Sequence, residues 1–256
     1  MKQKTENIKI EIILVISIMC VLYSICLVLY SPIFSNIKDF EVTTSLELSS
    51  SEISLAKKLT EIIPYAEITN LKYKTAYQKN PTSISNIPSS IITSTAYRAL
   101  NKNNFTKEEL TDAITRLYKT DLFIMNESFT PNTHTFCKYN EPTYFCSDKS
   151  YLGIVYKVSR NFQNIIIKEA EIFLTEDILF YSEEKINDLI YYKIYSDSTY
   201  NDISLIFTTK DLEKENKELD QYLKEQSESW FKYESTFKLN NQDYYWLKTR
   251  EVNNEK

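Results

Sequence analysis

The chain has 256 residues, with 30 Lys and Arg against 35 Asp and Glu, a formal net charge of −5 and a hydrophobic fraction of 43%. An acidic surface repels phosphate backbones and anionic lipid heads, so this balance argues against a nucleic-acid partner. The one glycine, Gly153, excludes the dinucleotide fingerprint, the Walker loop and the G-x-S-x-G elbow, each of which needs a backbone that reaches positive φ or lets a phosphate approach closely.

Residues 1–11 read as a cytosolic tail. Ile12 to Tyr30 follows without a charge or a helix breaker and spans roughly 28 Å as a helix, enough to cross a hydrocarbon core. No small-residue cleavage triplet follows it, so the expectation is an uncleaved, single-pass transmembrane anchor rather than a signal peptide. Lys2, Lys4 and Lys9 precede the run and only Lys38 closely follows it. The positive-inside bias therefore puts the N-terminus in the cytosol and residues 31–256 outside the cell membrane. Residues 31–48 read as a Ser- and Thr-rich stalk, and residues 49–252 as one extracytoplasmic domain large enough to bury its own core.

Ser49-Ser50-Ser51-Glu52 is a capping-box pattern, and Ile53, Ala56, Leu59, Ile62 and Ile63 form one apolar stripe before Pro64. Leu71, Tyr73, Thr75 and Tyr77 alternate as in a strand. Pro81 and Pro88 bracket a loop, and Ile91, Ile92, Ala96, Ala99 and Leu100 make a second helical face ending in a turn at Asn101–Asn104. Thr106-Lys107-Glu108-Glu109 is a second capping box, leading into the amphipathic helix of Leu110, Ala113, Ile114, Leu117 and Tyr118. From Asp121 the period changes to two. Leu122–Met125, a Cys137/Cys146 hairpin, Tyr151–Ser159, Ile165–Thr175, Ile178–Tyr181, Leu189–Tyr195 and Ile203–Thr208 read as antiparallel strands. Leu212–Glu228 reads as a charged surface helix, and Trp230–Leu239 with Tyr244–Val252 as a closing hairpin about Asn240-Asn241. Helices first and strands after predict an α+β fold, with helices packed on one face of an antiparallel sheet, of which an NTF2-like cone is one version. Neither half can cover its own apolar face, so Leu110, Ile114 and Leu117 are expected on a sheet that includes Phe231, Tyr233 or Phe237.

Of the four cysteines, Cys20 and Cys26 lie inside the apolar run and read as small membrane-facing groups. Folding Phe136-Cys137-Lys138-Tyr139 back on Tyr144-Phe145-Cys146 puts Cys137 and Cys146 opposite each other, a candidate disulfide in an oxidising compartment.

The apolar run, Thr106-Lys107-Glu108-Glu109-Leu110, Tyr118-Lys119-Thr120-Asp121 and the aromatic Tyr244-Tyr245-Trp246 resemble a group of single-pass, membrane-anchored extracytoplasmic proteins of AT-rich, low-GC Gram-positive bacteria. The chain lacks the glycine that group tends to carry at the exit of the Leu110 helix. The resemblance implies location and fold class, and carries over no functional residue. The 20 tyrosines fit the same AT-rich codon bias.

Chemistry-bearing patterns are sparse. His134, Cys137 and Cys146 could offer three zinc ligands, but without the repeated spacing of a zinc ribbon, and the only histidine sits in a loop composition. Ser54-Leu55-Ala56-Lys57 and Ser229-Trp230-Phe231-Lys232 both match S-x-x-K, without a K-T-G partner. Glu169 and Glu171 would share one face of the Ile165–Thr175 strand, and Asp197 and Asp202 flank a polar loop lacking a calcium loop's spacing. Asn104-Phe105-Thr106 and Asn126-Glu127-Ser128 are sequons. The sequence thus predicts no catalytic, cofactor or metal residue and no enzyme, but a membrane-tethered binding or structural module with a protein partner at the envelope. Rival readings are an envelope hydrolase, or an accessory subunit working through a Ser17, Cys20, Ser24 and Leu27 stripe in the bilayer.

Overall fold

The computed structural model describes residues 48–67, 75–120, 126–150, 153–240 and 243–252. The expected anchor Ile12–Tyr30, the start of the Leu71–Tyr77 strand and the strand Leu122–Met125 lie outside them. Among the described residues no helix is long and apolar enough to cross a membrane.

Ser49 N–H donates to Glu52 Oε2 (2.8 Å) and Glu52 N–H donates back to Ser49 Oγ (3.3 Å), opening α1 (Ser50–Thr60). Helix α2 (Ser89–Leu100) follows Pro88 and ends at Asn101, whose φ of 49° closes it in the left-handed region that asparagine tolerates. Thr106 and Glu109 form the second reciprocal box, at 2.9 and 3.2 Å, and open α3 (Lys107–Tyr118). Arg98 ties the first two helices together. Its guanidinium donates to the carbonyl of Glu61 (2.8 Å), at the C-terminal cap of α1, and to that of Tyr65 (3.2 Å) in the loop that follows.

The strands in chain order are β1 (Thr82–Ser83), β2 (Asn104–Thr106), β3 (Phe129–Asn132), β4 (Thr135–Asn140), β5 (Thr143–Asp148), β6 (Ile154–Lys168), β7 (Glu171–Ile186), β8 (Leu189–Tyr195), β9 (Ile203–Thr208), β10 (Phe231–Asn240) and β11 (Asp243–Glu251). They form two antiparallel sheets rather than the single one expected. The small sheet runs β2-β5-β4-β3 and the large one β1-β11-β10-β7-β8-β9, with β6 paired to β7. Strand β7 is the spine. Along one side it pairs with β6 over nearly its whole length. Along the other, its first half pairs with β10 and its second half with β8.

Helices α1 to α3 cover one face of the large sheet. Leu110, Ile114 and Leu117 share a core with Tyr233, Phe237 and Trp246, and α3 meets the sheet at β11, where Tyr118 packs edge-on to Trp246 at 6.2 Å. Beneath them Trp246 Nε1 donates to Thr249 Oγ1 (2.9 Å), which also bonds Ser235 Oγ (2.7 Å), so these buried polar groups are satisfied.

Several sequence expectations need correction. Ile165–Thr175 is not one strand but the turn of the β6–β7 hairpin. Glu169 takes φ 53° there, and with neither glycine nor asparagine at the bend the sequence carried no turn signal. Leu212–Glu228 is two short helices, α4 (Thr209–Glu215) and α5 (Leu219–Lys224), split at Asn216 with φ 52°. Nor are all helices on one face: Leu212 and Leu223 join Leu179, Tyr181, Tyr192, Ile194 and Phe207 in a second core on the opposite side of β7 and β8. Asn104 is already strand rather than turn, pairing with Phe145. Asn240, expected in the turn of the closing hairpin, is the last residue of β10 and pairs with Asp243, and the hairpin's register shifts once, between Thr236 and Phe237.

Candidate functional site

Along the first half of β7, Ile172, Leu174, Glu176, Ile178 and Phe180 face the main core, so one carboxylate occupies a position in an apolar row and is fully buried. An unpaired carboxylate there would be very costly. Arg160 on β6 answers it. Arg160 pairs with Ile178 and Glu176 with Phe162, so the two charged side chains lie diagonally on one face. Arg160 Nη1 donates to Glu176 Oε2 (3.0 Å) and Oε1 (3.2 Å), and Tyr77 Oη donates to Oε1 (2.7 Å). Arg160 Nη1 also donates to Tyr77 Oη. The guanidinium carbon stands 5.0 Å from the Tyr77 ring centroid and 5.6 Å from that of Tyr65, cation–π distances, and Tyr233, the strand partner of Glu176, packs edge-on to Tyr77 at 5.3 Å.

Burial alone would lower the pKa of Arg160, but the Tyr77 oxygen and the Glu176 carboxylate outweigh it and hold the guanidinium charged. Burial likewise pushes the Tyr65 and Tyr77 hydroxyls above the ordinary tyrosine range, so both stay protonated. Both oxygens of Glu176 are engaged and sealed from water, while 19% of the Arg160 side chain is exposed. A carboxylate so enclosed serves as a clamp between β6, β7 and the loop that carries Tyr77; acid–base work would require the cluster to open first.

The small sheet carries the candidate disulfide. Cys137 and Cys146 are direct cross-strand partners, with Cα atoms 3.9 Å apart, and their sulfurs are bonded to each other. Around them the inner face is aromatic: Tyr144 contacts Phe105 (5.2 Å), Phe129 (5.4 Å) and Tyr139 (4.8 Å). On the outer face Phe136 and Phe145 stand exposed beside Lys138. His134 lies exposed in the β3–β4 turn, where its own N–H donates to Asn132 Oδ1 (2.8 Å). Sulfurs joined in a disulfide do not ligate zinc as thiolates. Among the described residues no three His, Cys, Asp or Glu side chains converge to hold a metal ion.

The other patterns scatter. Ser54 and Lys57 are exposed on α1, and Lys232 sits opposite Asp177 on the large sheet's other face. Glu169 is in a turn and Glu171 in β7, so they do not share a strand face. Asp197 accepts from Thr199 N–H (2.8 Å) and Oγ1 (2.6 Å), which shapes a turn, and Asn126 Oδ1 accepts from Lys107 Nζ (2.7 Å). The Arg160–Glu176–Tyr77 cluster was missed by sequence reasoning. Its one available signal was a carboxylate in phase with an otherwise apolar alternation.

The described residues thus define an α+β domain of two antiparallel sheets, clamped by a buried ion pair and a disulfide. No family model matches the chain, and no curated protein or solved structure matches it.

Proposed function

We propose that this chain is a membrane-tethered extracytoplasmic module of the cell envelope that binds or scaffolds rather than catalyses, with its N-terminus in the cytosol. The observation that carries the reading is the Cys137–Cys146 disulfide, because such bridges persist in oxidising compartments and are rare in the cytosol. The apolar run Ile12–Tyr30, taken as a transmembrane helix with Lys2, Lys4 and Lys9 before it, supports the same side of the membrane. The likeness to anchored proteins of low-GC Gram-positive bacteria fits this placement. Helices α1 to α3 over the long β6–β7 hairpin support the cone-shaped version of the fold. The exposed Phe136 and Phe145 support contact with a partner, and the enclosed Glu176 leaves the buried ion pair a structural task.

Protease added to intact cells tests the placement. An epitope before Lys9 should survive while one after Val252 is lost, and the exterior fragment should shift in mass on reduction and alkylation. Survival of the C-terminal epitope, release of the exterior part as soluble mature protein, or free thiols at Cys137 and Cys146 would each contradict it.

A further inference from the structure

Arg160 uses only one nitrogen inside the main core: Nη1 reaches both oxygens of Glu176 and the hydroxyl of Tyr77. Nε and Nη2 bond to no described residue. They lie side by side on one edge of the planar fork, where two parallel N–H bonds match the two oxygens of a carboxylate. Neither is among the buried polar atoms that lack a partner, and part of the side chain is exposed, so this edge keeps contact with solvent. The fork is also fixed in advance. Glu176 and Tyr77 hold Nη1, and the rings of Tyr65 and Tyr77 stand 5.6 and 5.0 Å from Cζ, so little side-chain freedom is left to lose on binding.

Two further observations point to an anion. Arg98 donates to the backbone carbonyl of Tyr65, the residue whose ring Arg160 touches, and the two guanidinium charges act on each other. Among the described residues Arg98 has no ion-pair partner, and Glu67, near enough to act on the Tyr65 hydroxyl, pairs with neither arginine. Two arginines against Glu176 leave one positive charge uncompensated. The Tyr65 hydroxyl is itself buried without a hydrogen-bond partner, and it feels the charge of Arg160. A buried hydroxyl left unpaired in a native core calls for an explanation.

We propose that the free edge of Arg160 binds the carboxylate group of a small ligand, with Tyr65 Oη as a third donor. One carboxylate balances the surplus charge and accepts all three bonds, whereas a phosphate dianion brings charge and oxygens that these groups leave unmatched. The site is separate from the partner contact at Phe136 and Phe145, and neither depends on the other.

The test titrates sodium acetate into the full chain in detergent, with sodium chloride holding the ionic strength, and follows the melting temperature. Acetate should raise it to a plateau, and chloride alone should not. Arg160→Lys keeps a charge beside Glu176 but lacks the fork, and should weaken acetate binding about tenfold or more. Tyr65→Phe keeps the ring and should weaken it about tenfold, the worth of one hydrogen bond to a charged group, while its melting temperature without acetate holds or rises. Arg160→Met with Glu176→Leu should melt near the parent and ignore acetate. Inorganic phosphate should act more weakly than acetate. The proposal is overturned by no rise specific to acetate, by an undiminished rise in Arg160→Lys or in the double variant, by unchanged affinity in Tyr65→Phe, or by phosphate acting more strongly than acetate. If the double variant fails to fold, Arg160→Lys still decides.

Discussion

The two cores flank the same strand and are built differently. In the first half of β7 only one face is buried, under α1 to α3, and that face holds Glu176, Arg160 and a dense set of tyrosines; the opposite face carries Asp177 and Thr175 toward Lys232 and Glu234 of β10. In the second half both faces are covered: Phe180 and Ser182 point to the main core, Leu179 and Tyr181 to the small one under α4 and α5. The small core is nearly all apolar, and its ion pairs sit at the rim, where Lys217 bridges Glu215 (2.9 Å) and Glu225 (2.6 Å). Main-core stability therefore depends on a buried ion pair, and small-core stability on volume together with the buried hydroxyls of Tyr181 and Tyr192. A chain can carry both kinds because the two cores lie on opposite faces of β7 and β8.

Alkaline pH should have the largest effect, and on both cores, since burial also raises the small-core hydroxyls of Tyr181 and Tyr192. Burial raises the hydroxyls of Tyr65, Tyr77, Tyr118, Tyr200 and Tyr233 above their ordinary value. Groups with a raised folded pKa contribute stability that is complete below the unfolded tyrosine value near 10 and is lost as pH rises through the folded values. One pH unit above 10 removes about 1.4 kcal/mol per tyrosine, on the order of 7 kcal/mol for the five, comparable to a domain's whole stability. Melting followed between pH 8 and 11 should collapse above 10, with tyrosine absorbance rising in step with unfolding. Ionisation of all tyrosines ahead of unfolding would contradict the burial of these hydroxyls.

Glu176→Ala leaves Arg160 buried without its counter-charge and should cost about 3 to 5 kcal/mol. Glu176→Leu combined with Arg160→Met should recover most of it, since a packed apolar pair often replaces a buried ion pair without loss. Urea denaturation of the single and double variants checks both. Leu223→Ala should cost about 2 to 4 kcal/mol, but only in the small core. Replacing Cys137 and Cys146 by serine should cost about 2 to 3 kcal/mol from the chain-entropy value for a loop this short, and should shift the urea midpoint by loosening the main core, of which Cys137 is a fully buried member, while leaving the small core intact.

The helices were legible because their signals are local. Ser49 with Glu52 and Thr106 with Glu109 announce two N-termini, and the Leu110 stripe fixes which face is buried. The Cys137 and Cys146 register was legible for the same reason, since a short loop sets it. The β6–β7 bend was hidden because Glu169 adopts a conformation that a glycine or asparagine would have advertised. Between Phe162 and Ile165 the alternation breaks, since the bulge at Gln163 lets both face the core, so a single fifteen-residue strand read as fragments. The clamp was out of reach for another reason. Tyr77 and Glu176 are 99 residues apart and meet only through the fold, and the sparse apolar positions of α4 and α5 look like a surface helix until Phe207 and Tyr192 lie beneath them.

Hydrogen exchange on Leu223→Ala measures the separation of the two cores most directly. Amides of β8, β9, α4 and α5 should exchange faster than in the parent, while those of α3, β10 and β11 keep their protection. A uniform acceleration across both sets would mean that the two faces of β7 open as one unit, and would contradict the division of the domain into a charge-dependent and a volume-dependent core.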